Sequence, residues 1–367
     1  MPGIVDVRAR RFRLPMAKTI ALSTGSRSFE EHVLVTVRAE DGAEGHAECV
    51  PRIGIYGETP RGAAGMIETH LAPLVEGLPI SAGPRIAAAL AKVAGNPAAR
   101  SSIEIAAFDA FARHVGIPAY RLLGAEVSDV ACCAMLGYGE PEEVLDRGQE
   151  QIDLYGVRAI KFKVGPDLER DIGVARTLRE GLGSGVALYP DGNRLYSAAE
   201  GLAFVEATQD LGLMWLEELT DPDDLVGRRR VAERSGCPIL GDESCTTARS
   251  VVVEFEAGRV GGVSIKPART GIVGSSTIRD YCAAQGAPAI VGSQGDSAIG
   301  AMVSAAFAAV APPTSTHAAE VLFFKGLGDD IVADLPEVAA GKMTLSDSPG
   351  FGFEIDQERL ESHRVSD

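Results

Sequence analysis

Residues 157–193 read VRAIKFKVGPDLERDIGVARTLREGLGSGVALYPDGN. Two short runs rich in β-branched and apolar residues, 157–164 and 185–190, flank the amphipathic segment 168–182. Strand, helix and strand in this order are typical of a βαβ unit with parallel strands. Both runs end in polar residues: Lys161 and Lys163 belong to the first, and Asp191 and Asn193 follow the second.

The same alternation of strand and helix extends along the chain from residue 130 onward. It predicts eight strands with seven helices between them. The strands are 130–136, 157–164, 185–190, 213–216, 237–240, 260–266, 288–291 and 314–319, and the helices are 140–155, 168–182, 197–210, 223–235, 248–257, 273–285 and 298–309. This number favours an α/β fold of the β/α barrel type, with a doubly wound open sheet as the competing architecture.

The two ends of the chain differ from this central pattern. The first 125 residues hold strand-like runs at 4–14 and 32–39, a turn at Asp41-Gly42 and alanine-rich helices, which predicts a separate α+β domain. The tail after Leu327, with a turn at Ser348-Pro349-Gly350 and a strand-like run at 351–355, is expected to pack back on that domain. We therefore divide the chain into residues 1–125, 126–327 and 328–367.

Composition and charge exclude several classes of protein. Of the 367 residues, 46% are hydrophobic and 23% are charged, which is typical of a folded enzyme and not of a disordered chain. The 35 Lys and Arg against 51 Asp and Glu give a net charge of -16 without a basic cluster, so no nucleic-acid or membrane partner is expected. The longest apolar run, 298–312, is shorter than the ~18 residues of a membrane-spanning helix.

Two further features concern the cellular compartment. The six cysteines are scattered without a CxxC pair, which indicates reduced thiols in the core. Residues 1–8 alternate like a strand and lack the pattern of a signal peptide. We therefore expect a cytoplasmic protein.

Charged residues stand at the ends of five consecutive predicted strands, each about one βα unit after the last. They are Lys161 and Lys163, Asp191 with Asn193, Glu217, Asp242 with Glu243, and Lys266. A buried strand avoids such residues unless they are paired or hold a metal, because a lone buried ion is unfavourable by several kcal/mol. We expect these side chains to converge in one ring at the mouth of the barrel.

The residue types in this ring favour one kind of chemistry. Asp191, Glu217 and Asp242 form a hard oxygen-ligand set that suits Mg²⁺ and leaves open positions for substrate oxygens. Lys163 and Lys266, crowded by each other's charge and partly desolvated, would have lowered pKa values and could act as general bases. The set predicts removal of a proton next to a carboxylate, with the metal and a further lysine stabilising the enediolate that forms.

Five motifs resemble, in the same order, those of the enolase superfamily and of its muconate lactonizing enzyme (muconate cycloisomerase) subgroup, within the mandelate racemase/muconate lactonizing enzyme family. They are KFK (161–163), PDGN (190–193), LEEL (216–219), GDES (241–244) and IKPART (265–270). The mandelate racemase branch places a His–Asp dyad on strands seven and six, and strand seven here reads AIVGSQGDS without a histidine. One departure is Leu219, which stands where the family has a proline and predicts a shifted loop without loss of the ligand.

The resemblance covers nearly the whole chain and implies a fold and a set of roles. The fold is a modified TIM barrel, (β/α)7β, with an α+β capping domain formed by the N-terminal segment and the C-terminal tail. The mouth of the barrel would be closed by two cap loops, 20–27 and 52–56, which choose the substrate. The implied roles are Asp191, Glu217 and Asp242 as ligands of Mg²⁺ or Mn²⁺, Lys163 and Lys266 as the acid/base pair, Lys161, Asn193, Asp296, Glu320, Arg52 and Tyr56 as substrate-binding residues, and Glu243 as a partner that tunes Lys266.

Two lysines on opposite faces of a substrate are what proton transfer between those faces requires. We therefore predict a racemase or epimerase of an amino acid or a derivative, such as an N-acylamino acid, a dipeptide or a proline-like acid. Cycloisomerisation of a muconate-type diacid and dehydration of a hydroxy acid such as a hydroxyproline are open alternatives in the same branch. A non-catalytic binding protein is disfavoured because no ligand or lysine is lost, and a hydrolase built on Ser297 and His317 lacks a third triad member. A small carboxylate substrate and a homo-oligomer are the implied partners.

Overall fold

The computed structural model of the chain describes residues 1–22, 25–125, 127–165 and 167–365, with the backbone alone described at 19–22 and 25–27. Three antiparallel strands begin the chain: β1 (Ile4–Leu22), β2 (Gly25–Ala39) and β3 (Glu44–Cys49), with β2 in the centre. The predicted turn at Asp41-Gly42 joins β2 to β3. Gly42 has a φ of 87°, which glycine adopts without strain.

The helices of this first domain follow β3. They are α1 (Ile53–Tyr56), α2 (Pro60–Met66), a π-helical turn (Ile67–Leu71), α3 (Ala72–Val75), α4 (Gly83–Leu90), α5 (Pro97–Val115) and α6 (Ala119–Leu122). The sequence pattern does not predict β3, because its alternation is weak and its buried residues include the small Gly45 and Ala47 as well as the charged Glu48. Position 45 is a glycine because α5 lies so close: a Cβ there would collide with the backbone of Ala106 and Ala110.

This close contact leads to a prediction for stability. Gly45→Ala is expected to lower the free energy of unfolding by about 3 kcal/mol, because neither the strand nor α5 can move away without breaking backbone hydrogen bonds. Urea denaturation of the purified protein measures the change. The matched control is Gly65→Ala in α2, where an added Cβ meets no atom within 4 Å. Equal stability of the two variants would show that β3 and α5 are not in close contact.

A parallel sheet forms the second part of the fold, and its strands lie in sequence order. Its register sets the charged strand ends side by side, since Lys163 pairs with Asp191 and Asp191 with Glu217. After β4 (Asp129–Ala131), the strands of this sheet are β5 (Cys133–Leu136), β6 (Ala159–Lys163), β7 (Ala187–Asp191), β8 (Leu216–Glu217), β9 (Ile239–Gly241), β10 (Gly262–Ile265) and β11 (Ala289–Val291).

The predicted eighth strand at 314–319 is wrong, because Thr314–Thr316 forms a short 3₁₀-helix after two prolines. Two residues nevertheless connect the edges of the sheet. The carbonyl of Ala319 accepts a hydrogen bond from the N–H of Cys133 at 2.8 Å, and the N–H of Glu320 donates to the carbonyl of Val291 at 2.8 Å. These bonds curl the sheet into a barrel, so the barrel prediction is confirmed over the open sheet.

The predicted barrel helices are confirmed with small shifts at their ends. They are α7 (Pro141–Tyr155), α8 (Leu168–Leu182), α9 (Ala198–Thr208), α10 (Leu225–Arg234), α11 (Ala248–Glu256), α12 (Pro267–Gln285) and α13 (Ala298–Ala308). α12 is interrupted at Gly271, which has a φ of 65° and a ψ of -178°. Its second part begins where the N–H of Val273 donates to Glu104 of α5 at 2.7 Å. The first domain therefore contacts the barrel helix that follows Lys266.

The tail contacts both other parts of the molecule. β12 (Val338–Ala339) pairs with β13 (Lys342–Thr344), β13 pairs with β4, and α14 (Gln357–Ser362) follows. The predicted strand at 351–355 is wrong, because left-handed Gly350 and Gly352 interrupt the extended backbone. Beyond α14, the N–H of Arg13 in β1 donates to the carbonyl of His363 at 2.9 Å.

The inside of the barrel is apolar at the end opposite the charged residues. The side chains that fill it are Cys133, Ala159, Tyr189, Trp215, Leu240 and Ile290. Because this end is closed by packing, access to the barrel is from the carboxyl ends of the strands. Within the described residues, no helix is both long and apolar enough to cross a membrane.

Candidate active site

The charged residues predicted from the strand ends meet at one end of the barrel. Lys161 lies at their centre with a side chain that is 3% exposed. Its Nζ lies 2.9 Å from Asp191, 2.8 Å from Glu217 and 3.0 Å from Glu320. Burial opposes the charge of this ammonium, but the surrounding carboxylates hold the pKa of Lys161 well above its ordinary value. Lys161 thus binds three carboxylates together, two from strand ends and one from the segment that closes the barrel.

Lys163 lies at the outer edge of the same ring and is 29% exposed. Its Nζ donates to Asp191 at 2.7 Å and to the side-chain oxygen of Asn193 at 2.5 Å. Asn193 has a φ of 40°, in the left-handed region that asparagine tolerates better than most residues. Burial raises the pKa of Asp191, but Lys161 and Lys163 outweigh it and the pKa is lowered. Lys163 therefore combines an ion pair with access to the barrel mouth.

Lys266 lies across the ring, directly after β10, and is 5% exposed. Its Nζ donates to one oxygen of Asp242 at 2.6 Å, and Arg269 donates to the other at 2.8 Å. Burial raises the pKa of Asp242, but these two cations outweigh it and lower the pKa to about 2. Sequence analysis did not single out Arg269, although its position three residues after Lys266 places both on one face of the first turn of α12.

The expected lowering of the lysine pKa is wrong for Lys266. Burial lowers the pKa of this ammonium, but the adjacent Asp242 opposes that effect, and the net shift of the pKa is upward. Crowding between the lysines, on which the expectation rested, is outweighed by the carboxylates.

The donor set at the strand ends fits a divalent cation in its chemistry. Asp191 and Glu217 both contact the Nζ of Lys161, so their oxygens surround one position where positive charge is favourable. The second oxygen of Glu217 is buried and has no hydrogen-bond partner among the described residues. The ammonium of Lys161 lies between these carboxylates. Within the described chain, no three His, Cys, Asp or Glu side chains are arranged to hold a metal directly. These oxygens are of the kind that Mg²⁺ prefers.

Glu218, the neighbour of Glu217, has a structural position. It accepts hydrogen bonds from the backbone of Asp242 at 2.8 Å and from the hydroxyl of Ser244 at 2.7 Å. Its other oxygen lies 3.2 Å from Arg228 of α10. Glu218 has a φ of 33°, so the chain bends sharply before Leu219. Glu217 keeps its place in the ring, and the shifted loop that the missing proline predicts stays a prediction.

Glu243, Glu320 and Asp296 occupy different positions around the ring. Glu320 accepts from Lys161 and, at 3.0 Å, from the hydroxyl of Tyr189. Glu243 accepts from the side-chain amide of Asn193 at 3.1 Å, and burial with neighbouring Asp242 raises its pKa to about 7. Asp296 accepts from its own loop, from Ser293 at 2.7 Å. Burial and Glu48 raise the pKa of Asp296 to about 6.

The two cap residues chosen from the sequence contact the loop that follows β11. The Nε of Arg52 donates to the carbonyl of Gln294 at 2.6 Å, and the side-chain amide of Gln294 donates to the hydroxyl of Tyr56 at 2.5 Å. Arg52 also donates to Glu30 at 3.0 Å. The side chains of the other predicted cap loop, 20–27, lie outside the described residues.

The alternative hydrolase arrangement is absent from the described residues. Ser297 is the N-cap of α13 and accepts from the N–H of Ile299. His317 packs edge-on against Trp215, with ring centroids 5.1 Å apart, at the apolar end of the barrel. Ser297 and His317 therefore lie at opposite ends of the barrel, so His317 does not serve as a base for Ser297.

Comparison with known proteins agrees with this fold and arrangement. Two family descriptions match: "Mandelate racemase / muconate lactonizing enzyme, N-terminal domain" over residues 4–124, and "Enolase C-terminal domain-like" over residues 143–359. The hydrophobic dipeptide epimerase of Enterococcus faecalis is 28% identical over 86% of this chain and 88% of its own. Muconate cycloisomerase 1 of Pseudomonas putida is 28% identical over 89% of each chain.

A solved structure is similar over the full length. The muconate lactonizing enzyme of Mycobacterium smegmatis, in complex with muconolactone, is 34% identical, covers 100% of both chains and superimposes with a TM-score of 0.97. The epimerases and cycloisomerases found here are isomerases of one superfamily, and their shared architecture is the barrel described above. This chain belongs to the mandelate racemase/muconate lactonizing enzyme family of the enolase superfamily.

Proposed function

We propose that this chain removes the proton α to a carboxylate in a Mg²⁺-dependent reaction, and that it interconverts the stereoisomers of an amino acid derivative. The observation that carries the proposal is the placement of Lys163 and Lys266. They come from separate strand ends of one barrel mouth, and each is ion-paired to a different carboxylate, Asp191 and Asp242. The relatives named as epimerases, from Enterococcus faecalis and Bacillus subtilis, support this reaction class.

In this proposal Asp191, Glu217 and Asp242 hold the divalent cation, Mg²⁺ or Mn²⁺. When bound, the ion supplies positive charge that stabilises the negative charge developing on the substrate carboxylate. A structure of the Enterococcus faecalis dipeptide epimerase, 26% identical to this chain, is described as complexed with Mg and a dipeptide. Because a dipeptide carries a carboxylate, the same structure also supports our proposal that the substrate of this chain is a small carboxylate.

The proton transfers are assigned to the two lysines. The Nζ of one lysine, in its neutral form, takes the α-proton, and the ammonium of the other donates a proton to the opposite face. Lys161, already held by three carboxylates, is the cation that orients the substrate carboxylate.

The remaining predicted residues act around these groups. The side-chain oxygen of Asn193 accepts a hydrogen bond from the Nζ of Lys163, and its amide nitrogen donates to Glu243, so Asn193 connects the two residues. Glu320 holds Lys161, and Tyr56 and Arg52 carry the cap segment over the mouth. Asp296 shapes the loop after β11, and Glu243 acts on Lys163 through Asn193 in addition to its predicted effect on Lys266. The domain boundaries at 125 and 327, a cytoplasmic location and a homo-oligomer stay predictions.

A second function is favoured by one specific observation. The muconate lactonizing enzyme of Mycobacterium smegmatis, 34% identical over the full length, was solved with muconolactone bound. Cycloisomerisation of a muconate-type diacid needs the same carboxylate-binding groups but one acting lysine. It is therefore the alternative outcome of the experiment that follows.

Proton NMR in D2O with Mg²⁺ distinguishes the two functions. The enzyme is incubated with separate pools of amino acids, N-acylamino acids, dipeptides, hydroxyprolines and muconates. We expect deuterium to enter the α-position of one pool together with a new stereoisomer, and EDTA to stop both. A lactone from the muconate pool would establish the second function instead. No exchange and no product in any pool, with folded protein that binds Mg²⁺, would contradict both.

A further inference from the structure

A row of four buried or half-buried charges of alternating sign joins the barrel to the cap. We call it the charge row: Glu48, His32, Glu30 and Arg52. At the barrel end, Glu48 of β3 accepts hydrogen bonds from the N–H groups of Ser297 at 3.0 Å and Gly300 at 3.1 Å, in the first turn of α13. At the other end, Arg52 precedes α1, the cap segment at the mouth of the barrel.

His32 is the central cation of the charge row and is fully buried. Its Nδ1 forms an ion pair with Glu48, and its Nε2 lies 3.7 Å from Glu30. Burial lowers the pKa of this imidazole, but the two carboxylates raise it further, to about 9, while Arg52 acts in the opposite direction. Sequence analysis gave His32 no role, because its partners are distant along the chain or lie two residues away.

Arg52 connects the charge row to the barrel loop after β11. One side of its guanidinium donates to Glu30 at 3.0 Å, and the other donates to the carbonyls of Gln294 and Gly295. Gly295 has a φ of 84°, and a Cβ there would collide with the guanidinium of Arg52. Since Gln294 also donates to Tyr56, the cap segment Ile53–Tyr56 is attached to this one loop at both of its ends.

The energetics of buried charge make the row dependent on His32. Two buried carboxylates face its ring, and a buried carboxylate without a cation is unfavourable by several kcal/mol. Without the imidazolium, Glu30 and Glu48 would be two buried carboxylates with no positive charge between them, and they would move apart. Glu30 would keep its ion pair with Arg52, so a displaced Glu30 would shift the guanidinium and weaken the attachment of the cap segment.

We propose that His32 is a positioning residue which, through Glu30 and Arg52, holds the cap segment Ile53–Tyr56 over the barrel mouth. It touches no reacting group, so its effect is on how often the mouth is in its closed, substrate-binding arrangement. Loss of that arrangement reduces apparent affinity in proportion to its population and leaves the chemical step unchanged. This inference rests on the proposed function in one respect only, because one of its two tests measures turnover. The other test, hydrogen–deuterium exchange, needs no turnover.

The test compares His32→Gln with wild type. We expect KM to rise about tenfold while kcat changes less than about twofold. We also expect faster hydrogen–deuterium exchange of the backbone amides at 53–57 and 294–297 in the ligand-free protein. The matched control is His114→Gln, which removes another cap histidine paired with a carboxylate, Asp41, at 2.6 Å. It should leave KM and both exchange rates unchanged.

A double-mutant cycle separates positioning from a general loss of stability. Arg52→Gln alone should raise KM and exchange as His32→Gln does, and the double variant should be no worse than either, because both act through one attachment. Multiplied effects in the double variant, or His32→Gln with unchanged KM and exchange, would overturn the proposal. If His32→Gln does not fold, Arg52→Gln with unchanged exchange at 53–57 overturns it as well. If wild type turns over no compound, the proposed function fails while the exchange comparison still decides this inference.

Discussion

Lys163→Ala and Lys266→Ala are each expected to abolish interconversion of stereoisomers, with rates at least about 10³-fold below wild type. Each variant retains one lysine, so each should still exchange the α-proton of one stereoisomer with solvent deuterium. The stereoisomer exchanged by Lys163→Ala should be the one that Lys266→Ala does not exchange. This reciprocal pattern follows from two bases on opposite faces, and proton NMR in D2O measures it directly.

The variant Lys163→Arg distinguishes the role of Lys163 in proton transfer from its role as a positive charge beside Asp191. Arginine can keep the ion pair that Lys163 makes with Asp191 at 2.7 Å, but its guanidinium does not give up a proton at any working pH. We therefore expect Lys163→Arg to fold like wild type and to be as inactive as Lys163→Ala. The exposed Lys92→Ala should keep full activity.

Two outcomes would change the assignment. Full interconversion by Lys163→Ala would remove this lysine from the proton transfer. Loss of lactone formation in one lysine variant, with little change in the other, would instead establish the cycloisomerase, in which one lysine acts.

The site could be predicted from the sequence because barrel topology converts spacing along the chain into proximity. Charged residues about one βα unit apart fall at the same end of neighbouring parallel strands, and the pairing of Lys163 with Asp191 and of Asp191 with Glu217 is the direct result. Their side-chain partners could not be predicted in this way. That Lys161 binds three carboxylates and Lys266 one depends on rotamers and burial, which spacing does not determine.

The features that sequence analysis missed depend on contacts between distant or very short segments. The contact of Arg52 with Gln294 crosses from the first domain to the loop after the last strand of the sheet. Ring closure at Ala319 and Glu320 needs too few residues to produce an alternating pattern. β3 is defined by what packs on it, since Gly45 is required by the approach of α5 and not by strand propensity.

Glu217→Gln is expected to weaken Mg²⁺ binding at least ~100-fold and to abolish proton exchange. The substitution preserves the size of the side chain and the oxygen that contacts Lys161, but removes one negative charge from the ring. Isothermal titration with Mg²⁺ measures the affinity. The rise in Tm that Mg²⁺ produces in wild type should be lost in the variant, because a ligand stabilises the folded state in proportion to its binding.

The same substitution should not destabilise the metal-free protein. Burial raises the pKa of Glu217, Lys161 opposes that shift, and the neighbouring charges of Asp191, Glu320 and Asp242 add to it, so the net shift is upward. A neutral amide relieves this crowding, and we expect the Tm without Mg²⁺ to equal or exceed that of wild type.

Glu218→Gln is the matched control for this prediction, because it changes the adjacent carboxylate in the same way. Glu218 is bound to Arg228 and to the backbone of Asp242, so its loss should lower Tm and leave a Mg²⁺ affinity much closer to that of wild type. The opposite result, with Mg²⁺ binding lost in Glu218→Gln and kept in Glu217→Gln, would transfer the ligand role to the second glutamate. Glu217 would then be a partner of Lys161 alone. Comparison of the two variants therefore distinguishes a carboxylate that binds the ion from one that supports the strand end carrying Asp242.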